Sequence, residues 1–136
     1  MKINDIDHIG RSALMHACHG KGFSRAAENL LKAGADVNSA DEFGATPLMM
    51  AAANIDCKLE LIETLMSFGA DINRQTDKEK NTALMLAILN FPSENPSEEN
   101  YKLIRRLLLE KSKKPYFKSI RPWFFFFFFW ILFKSN

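Results

Sequence analysis

The chain has 136 residues, with 18 Lys and Arg against 16 Asp and Glu and only two cysteines, Cys18 and Cys57. That length is one domain's worth. Two cysteines are too few for a disulfide framework, so a reducing compartment is the default. The net charge of +2 averages two unlike parts. Residues 1–110 carry 12 basic against 16 acidic groups, whereas the six cations after Glu110 (Lys111, Lys113, Lys114, Lys118, Arg121 and Lys134) face no acid. Such a step separates a mildly acidic body from a basic tail, and the acidic body argues against a nucleic-acid partner. The opening Met1-Lys2-Ile3-Asn4-Asp5 has no apolar run, so no secretory signal peptide is expected.

Along the chain the body repeats itself. Ser12-Ala13-Leu14-Met15 returns as Thr46-Pro47-Leu48-Met49 and again as Thr82-Ala83-Leu84-Met85, at spacings of 34 and then 36 residues. Gly34-Ala35-Asp36-Val37-Asn38 returns 35 residues on as Gly69-Ala70-Asp71-Ile72-Asn73, and Asp7, Asp41 and Asp77 open the three units. In the first copy Ser12 caps a helix whose core side carries Leu14 and Ala17. A second helix follows with Ala26, Ala27, Leu30 and Leu31, and Gly34 stops it. In the second copy Thr46 is the cap, and Pro47 suits the first helical position, where no amide hydrogen is needed. Leu48, Ala51 and Ala52 share one face of that helix. Leu59, Ile62, Leu65 and Met66 stripe the next, and Gly69 ends it. Gly44 suits a turn with positive φ. The third copy has Lys80 in place of that glycine and a long polar loop over 89–99. A second helix starts at Ser97-Glu98-Glu99, with Leu103, Leu107 and Leu108 on its apolar face. Lys111-Ser112-Lys113 stands where Gly-Ala-Asp is expected.

Asp41-Glu42-Phe43-Gly44-Ala45-Thr46-Pro47-Leu48 and Leu65-Met66-Ser67-Phe68-Gly69-Ala70-Asp71 give the body its clearest resemblance, to the ankyrin-repeat family. The resemblance covers roughly residues 5–112. It implies an all-α solenoid of three helix-turn-helix repeats with short β-turn fingers, followed by a hydrophobic C-terminal tail. The expected division is a repeat domain over 1–114, with repeats at about 7–40, 41–76 and 77–112, and an aromatic-rich basic tail over 115–136. The family often places a histidine after its Thr-Pro-Leu as a polar bridge. Met15, Met49 and Met85 stand there instead, and looser hydrophobic packing is expected.

The tail holds 11 consecutive apolar residues, 123–133, including six consecutive phenylalanines. As a helix that run reaches about 16 Å, short of a hydrocarbon core about 30 Å thick. Three readings stand for it: the product of a frameshift or truncated gene, an interfacial membrane contact through aromatics and flanking cations, or a helix that folds back over the end of the third repeat.

Nothing in the sequence sets out catalysis. His16-Ala17-Cys18-His19 falls on repeat positions that carry Met50 and Ala52 in the next copy, so no metal is expected. Gly20-Lys21-Gly22 lacks the spacing of a phosphate loop. Spacing gives His8, His16 and His19 no acidic partner. The three opening aspartates are expected to hold their turns by side-chain hydrogen bonds. No cofactor and no enzyme activity are expected. The resemblance implies a monomeric scaffold that binds an unidentified protein. Its contacts would lie on the finger tips (His8, Ile9 and Arg11; Glu42, Phe43 and Ala45; Lys78, Glu79 and Asn81) and at the ends of the inner helices (His19, Ala53 and Asn54). Phe43 is the leading contact, an exposed aromatic of the kind that dominates interfaces, with packing against the adjacent finger as the alternative reading of it. The alternative is a truncated or frameshifted fragment of a longer ankyrin-repeat protein, membrane-associated through its tail. The resemblance places the protein in the cytoplasm, or in a host cell that receives it, or at a membrane surface if the tail anchors.

Overall fold

A computed structural model describes residues 2–54, 56–57, 59–91 and 97–112. Among these, six helices follow in order: α1 (Ala13–His19), α2 (Ser24–Lys32), α3 (Pro47–Ala53), α4 (Leu59–Ser67), α5 (Ala83–Leu89) and α6 (Glu98–Ser112). The only strand-like pairing among the described residues is an isolated bridge between Ile6 and Ser12. The expected aromatic tail lies outside the described residues, and so do all three readings of it.

The odd-numbered helices start alike because the same chemistry opens each of them. The hydroxyls of Ser12, Thr46 and Thr82 accept hydrogen bonds from the amides of Met15, Met49 and Met85, each at 3.4 Å. Each bond satisfies one of the amides that a helix leaves without a partner in its first turn. Pro47 occupies the first turn of α3, as its missing N–H allows. Helices α2 and α4 also end alike. Gly34 and Gly69 take left-handed backbone, and the amides of Ala35 and Ala70 reach back to the carbonyls of Leu30 and Leu65 at 2.9 and 3.1 Å. No glycine stops α6, and it runs for 15 residues, through Lys111 and Ser112.

These pieces stack in two rows. Helices α1, α3 and α5 pack side by side as the inner row, and α2, α4 and α6 form the outer one. The middle helix α3 is covered on both sides, so every residue from Pro47 to Ala52 is buried. Leu14, Leu48 and Leu84 repeat as fully buried anchors, joined by Ile62, Leu65, Ile104 and Leu107 from the outer row. Each such burial contributes about 1.5–3 kcal/mol. The outer-row stripe differs in detail from the expected one. Leu61 and Ile104 are buried, whereas Leu59 and Met66 are only half-buried, because the covered face of α4 is centred on Leu61, Ile62 and Leu65 and leaves Leu59 and Met66 at its edges. Met15 and Met49 are fully buried and Met85 half-buried.

A polar ladder does run between the copies, at a place other than the methionines. Asn38 Oδ1 accepts the amide of Asp71 at 2.8 Å, and its Nδ2 donates to the carbonyl of Gly69 at 3.0 Å. Asn4 Oδ1 likewise accepts the amide of Asp36 at 2.8 Å. The sequence carried a signal for this: Ile3-Asn4 precedes Val37-Asn38 by 34 residues and so stands at the same repeat position.

Candidate functional site

The fingers that join one copy to the next are built on their first side chain. Asp41 Oδ1 accepts the amides of Phe43 and Ala45 at 3.0 and 2.9 Å, and the amide of Asp41 donates to the carbonyl of Ala45 at 3.0 Å. Asp7 repeats the pattern in the first finger, accepting the amides of Ile9 and Arg11. These bonds leave the tip residues nowhere to collapse. His8, Glu42, Phe43, Lys78 and Glu79 are exposed, and Ile9, Arg11, Ala45 and Asn81 are half-buried.

The third finger corrects the sequence reading. The residue that opens it is Thr76, not Asp77. The amide of Thr76 donates to the carbonyl of Asn81 at 2.9 Å, and its Oγ1 accepts the amide of Asn81 at 3.0 Å. This finger therefore holds one more residue than the other two. A hydroxyl can serve the turn as a carboxylate does, so matching on aspartate alone shifts the register by one. Lys80 still sits two residues before the helix cap, where Gly10 and Gly44 sit in the other fingers. It takes their left-handed backbone, with φ of 56°.

Main-chain bonds set the fingers beside one another. The amide of Glu42 donates to the carbonyl of Ile9 at 3.2 Å, and the amide of Asp77 donates to the carbonyl of Phe43 at 2.9 Å. Phe43 thus stands on the central finger, held from both sides, and the residue is 52% exposed. Arg11 Nε lies 3.2 Å from Asp41 Oδ2, a side-chain bond across the first two fingers. At the far ends of the inner helices, Asn54 Nδ2 donates to the carbonyl of His19 at 3.1 Å, and Ala53 is half-buried beside it. The structure therefore gathers the expected residues into two groups, one along the fingers and one at the helix ends. Arg11, Asn54 and Asn81 hold that framework together as well, Asn81 Nδ2 donating to Glu79 Oε2 at 2.7 Å.

The electrostatics are local. His16 does have an acidic partner, Asp7 Oδ2 at 2.8 Å, because the first finger folds back onto α1. The Arg11 amide above all, then the His16 ring and the Ile9 amide, hold the Asp7 carboxyl down to about 2 against the opposing effect of burial. A cleft of about 290 Å³ lies between the helix–helix loops of the first two copies. Its wall includes Arg25, Asp56 and Glu60, and Asp56 is already paired with Lys21 at 2.7 Å. Cys57, also at that cleft, is buried, and burial pushes its thiol up to about 12, away from the thiolate a nucleophile needs. Among the described residues no group of three or more His, Cys, Asp and Glu could hold a metal ion. Among them, too, no helix is long and apolar enough to cross a membrane.

The sequence pattern that defines ankyrin repeats, in three copies, matches residues 14–118. This chain belongs to the ankyrin-repeat family. It is also similar to an ankyrin repeat protein of Acanthamoeba polyphaga mimivirus, with 33% identity over 115 residues, covering 75% of this chain. The match takes in 15% of that viral protein, so this chain spans a small part of its relative's length. The ankyrin assignment agrees with the two helical rows, the recurrent caps and the backbone-linked fingers. Ankyrin repeats generally mediate protein–protein interaction.

Proposed function

We propose that this ankyrin-repeat chain is a non-enzymatic scaffold that binds another protein across its fingers and the adjoining ends of its inner helices. Phe43 is the central contact in this reading, and its setting carries the proposal: a half-exposed aromatic on a finger locked on both sides by main-chain bonds. A rigid aromatic loses little entropy when it is covered, which is why such residues become hot spots. Glu42, Lys78 and Glu79 supply a charged rim of mixed sign around it. The scaffold acts as a monomer in a reducing compartment such as the cytoplasm, which suits two buried free thiols.

The test places a photo-crosslinking residue at position 43 in one protein and at position 68 in another, within cells that make the protein. Phe68 is the control because it is also exposed, at the end of the outer helix α4. A discrete adduct from position 43 and none from position 68 is the expected result. Phe43→Ala should then weaken the captured pair by about 2 kcal/mol or more while leaving the melting temperature nearly unchanged. Equal labelling at both positions, or a large fall in melting temperature, overturns the reading.

A further inference from the structure

The two ends of the stack differ. At the first end, His16 occupies the repeat position of the buried Met50. It is exposed and hydrogen-bonded to Asp7, so a polar pair faces outward there. At the other end the situation is reversed. Met15 and Cys18 of α1, and Met49 and Ala52 of α3, lie on the side of each inner helix that the next copy covers, and all four are at most 4% exposed. Their equivalents in α5 are Met85 and Ile88, and both are only half-buried. Beside them Phe91 and Tyr101 meet edge to face, with ring centroids 5.1 Å apart, and both are half-buried too. Tyr101 is about 140° round α6 from Arg106, and Arg106 is the residue that turns toward Glu63 of α4. The last copy therefore presents an apolar end face on the side away from the rest of the stack. A solenoid end of that kind needs a cover.

We infer that residues 123–133 of this same chain cover the end face formed by Met85, Ile88, Phe91 and Tyr101. The block is apolar throughout, and the face it would meet is apolar. It is also attached at the right place. Helix α6 borders the face and ends at Ser112, and ten residues separate that point from Trp123. Ten residues span up to about 33 Å, whereas the seven-residue α5 is only about 10 Å long. Every part of the face is within reach. The polar first end has no comparable need, and the aromatic block follows the last copy and not the first.

Both tryptophans of the protein, Trp123 and Trp130, lie inside the block, so tryptophan emission reports on the block alone. The full chain at low concentration should show blue-shifted emission protected from acrylamide, and the protection should vanish in the same thermal transition as the helical circular dichroism. Ile88→Glu should raise the quenching severalfold. Because that variant could disturb the third copy, a photo-crosslinker at position 88 gives a second reading. It should join the block within one chain, and a crosslinker at the more exposed Phe23 in the first copy should not. Solvent-exposed emission in the full chain overturns the inference. So does protection that appears only with a sedimenting dimer, which would make a second copy the cover. Protection that appears only with anionic vesicles would assign the block to a membrane and overturn it equally.

Discussion

Arg11 Nε sits 3.2 Å from Asp41 Oδ2, and the Asp41 side chain is completely buried while that of Arg11 is 29% exposed. The carboxylate has its other oxygen committed to two main-chain amides of its own finger. One side chain therefore shapes the second finger and ties it to the first. Arg11→Ala would leave a buried carboxylate short of one charged donor, and a fall in stability of about 1.5–3 kcal/mol is expected. Asp41→Ala should cost more, because it also removes both turn bonds. Urea unfolding of the three proteins tests this, and equal midpoints for the parent and Arg11→Ala would show the pair to be idle.

Lys80 holds a backbone conformation that its two counterparts leave to glycine. A side chain there costs about 1–2 kcal/mol, and part of the gain from removing it is lost to the freer unfolded chain. Lys80→Gly is expected to stabilise the protein by up to about 1 kcal/mol. Gly44→Ala should do the reverse and by more, since a Cβ there would come within 2.7 Å of Asp77 Oδ1. Thermal melts of both variants decide the point, and a destabilised Lys80→Gly would contradict it.

Asp7 ionises near 2 in the folded protein against an ordinary value of 3.8. A lowered folded value means that the charged form supports the fold. That support is complete above the unfolded value and is lost as pH falls through the folded one. The first finger should therefore loosen as pH drops from about 4 to about 2, the Ile9 and Arg11 amides losing their protection as the Asp7 carboxyl takes up its proton. Amide exchange followed by NMR across that range, corrected for its intrinsic pH dependence, would show it, and unchanged protection of the Ile9 and Arg11 amides down to pH about 2 would not fit.

Cys18 and Cys57 are both buried, and burial raises each thiol to about 12. At neutral pH neither is expected to react with a thiol reagent until the protein unfolds. Labelling should follow the denaturation curve. Fast modification of either thiol in the native protein would show that its loop opens independently.

Much of this arrangement was legible in the sequence, because its signals are local. Ser12 and Thr46 announce caps by residue type, and Gly34 and Gly69 announce stops by following an apolar stripe. The third finger was not, because Thr76 does by hydroxyl what aspartate does elsewhere, and the neighbouring Asp77 attracts the match. The link from His16 to Asp7 escaped a reading by spacing, since a turn and not a helix brings the two together. The contribution of Asn4 was visible only as a faint echo of Asn38, and what it binds is main chain, which leaves no mark in residue identities. The contact residues on the fingers were placed by analogy with the family, and their partner is a matter for the crosslinking experiment.

Beside the buried helix faces and a few side-chain ion pairs, most hydrogen bonds between copies have main-chain atoms on at least one side. Across the joint the Asn38 side chain bonds the carbonyl of Gly69 and the amide of Asp71, both main chain, and the fingers meet amide to carbonyl. A joint of that kind does not inspect the side chains it receives. Copies can accumulate substitutions, or accept an extra residue as the third finger does, and still dock in place. The partner-facing tips are thereby released to change faster than the framework that carries them, and a new specificity could be installed finger by finger without redesigning the stack.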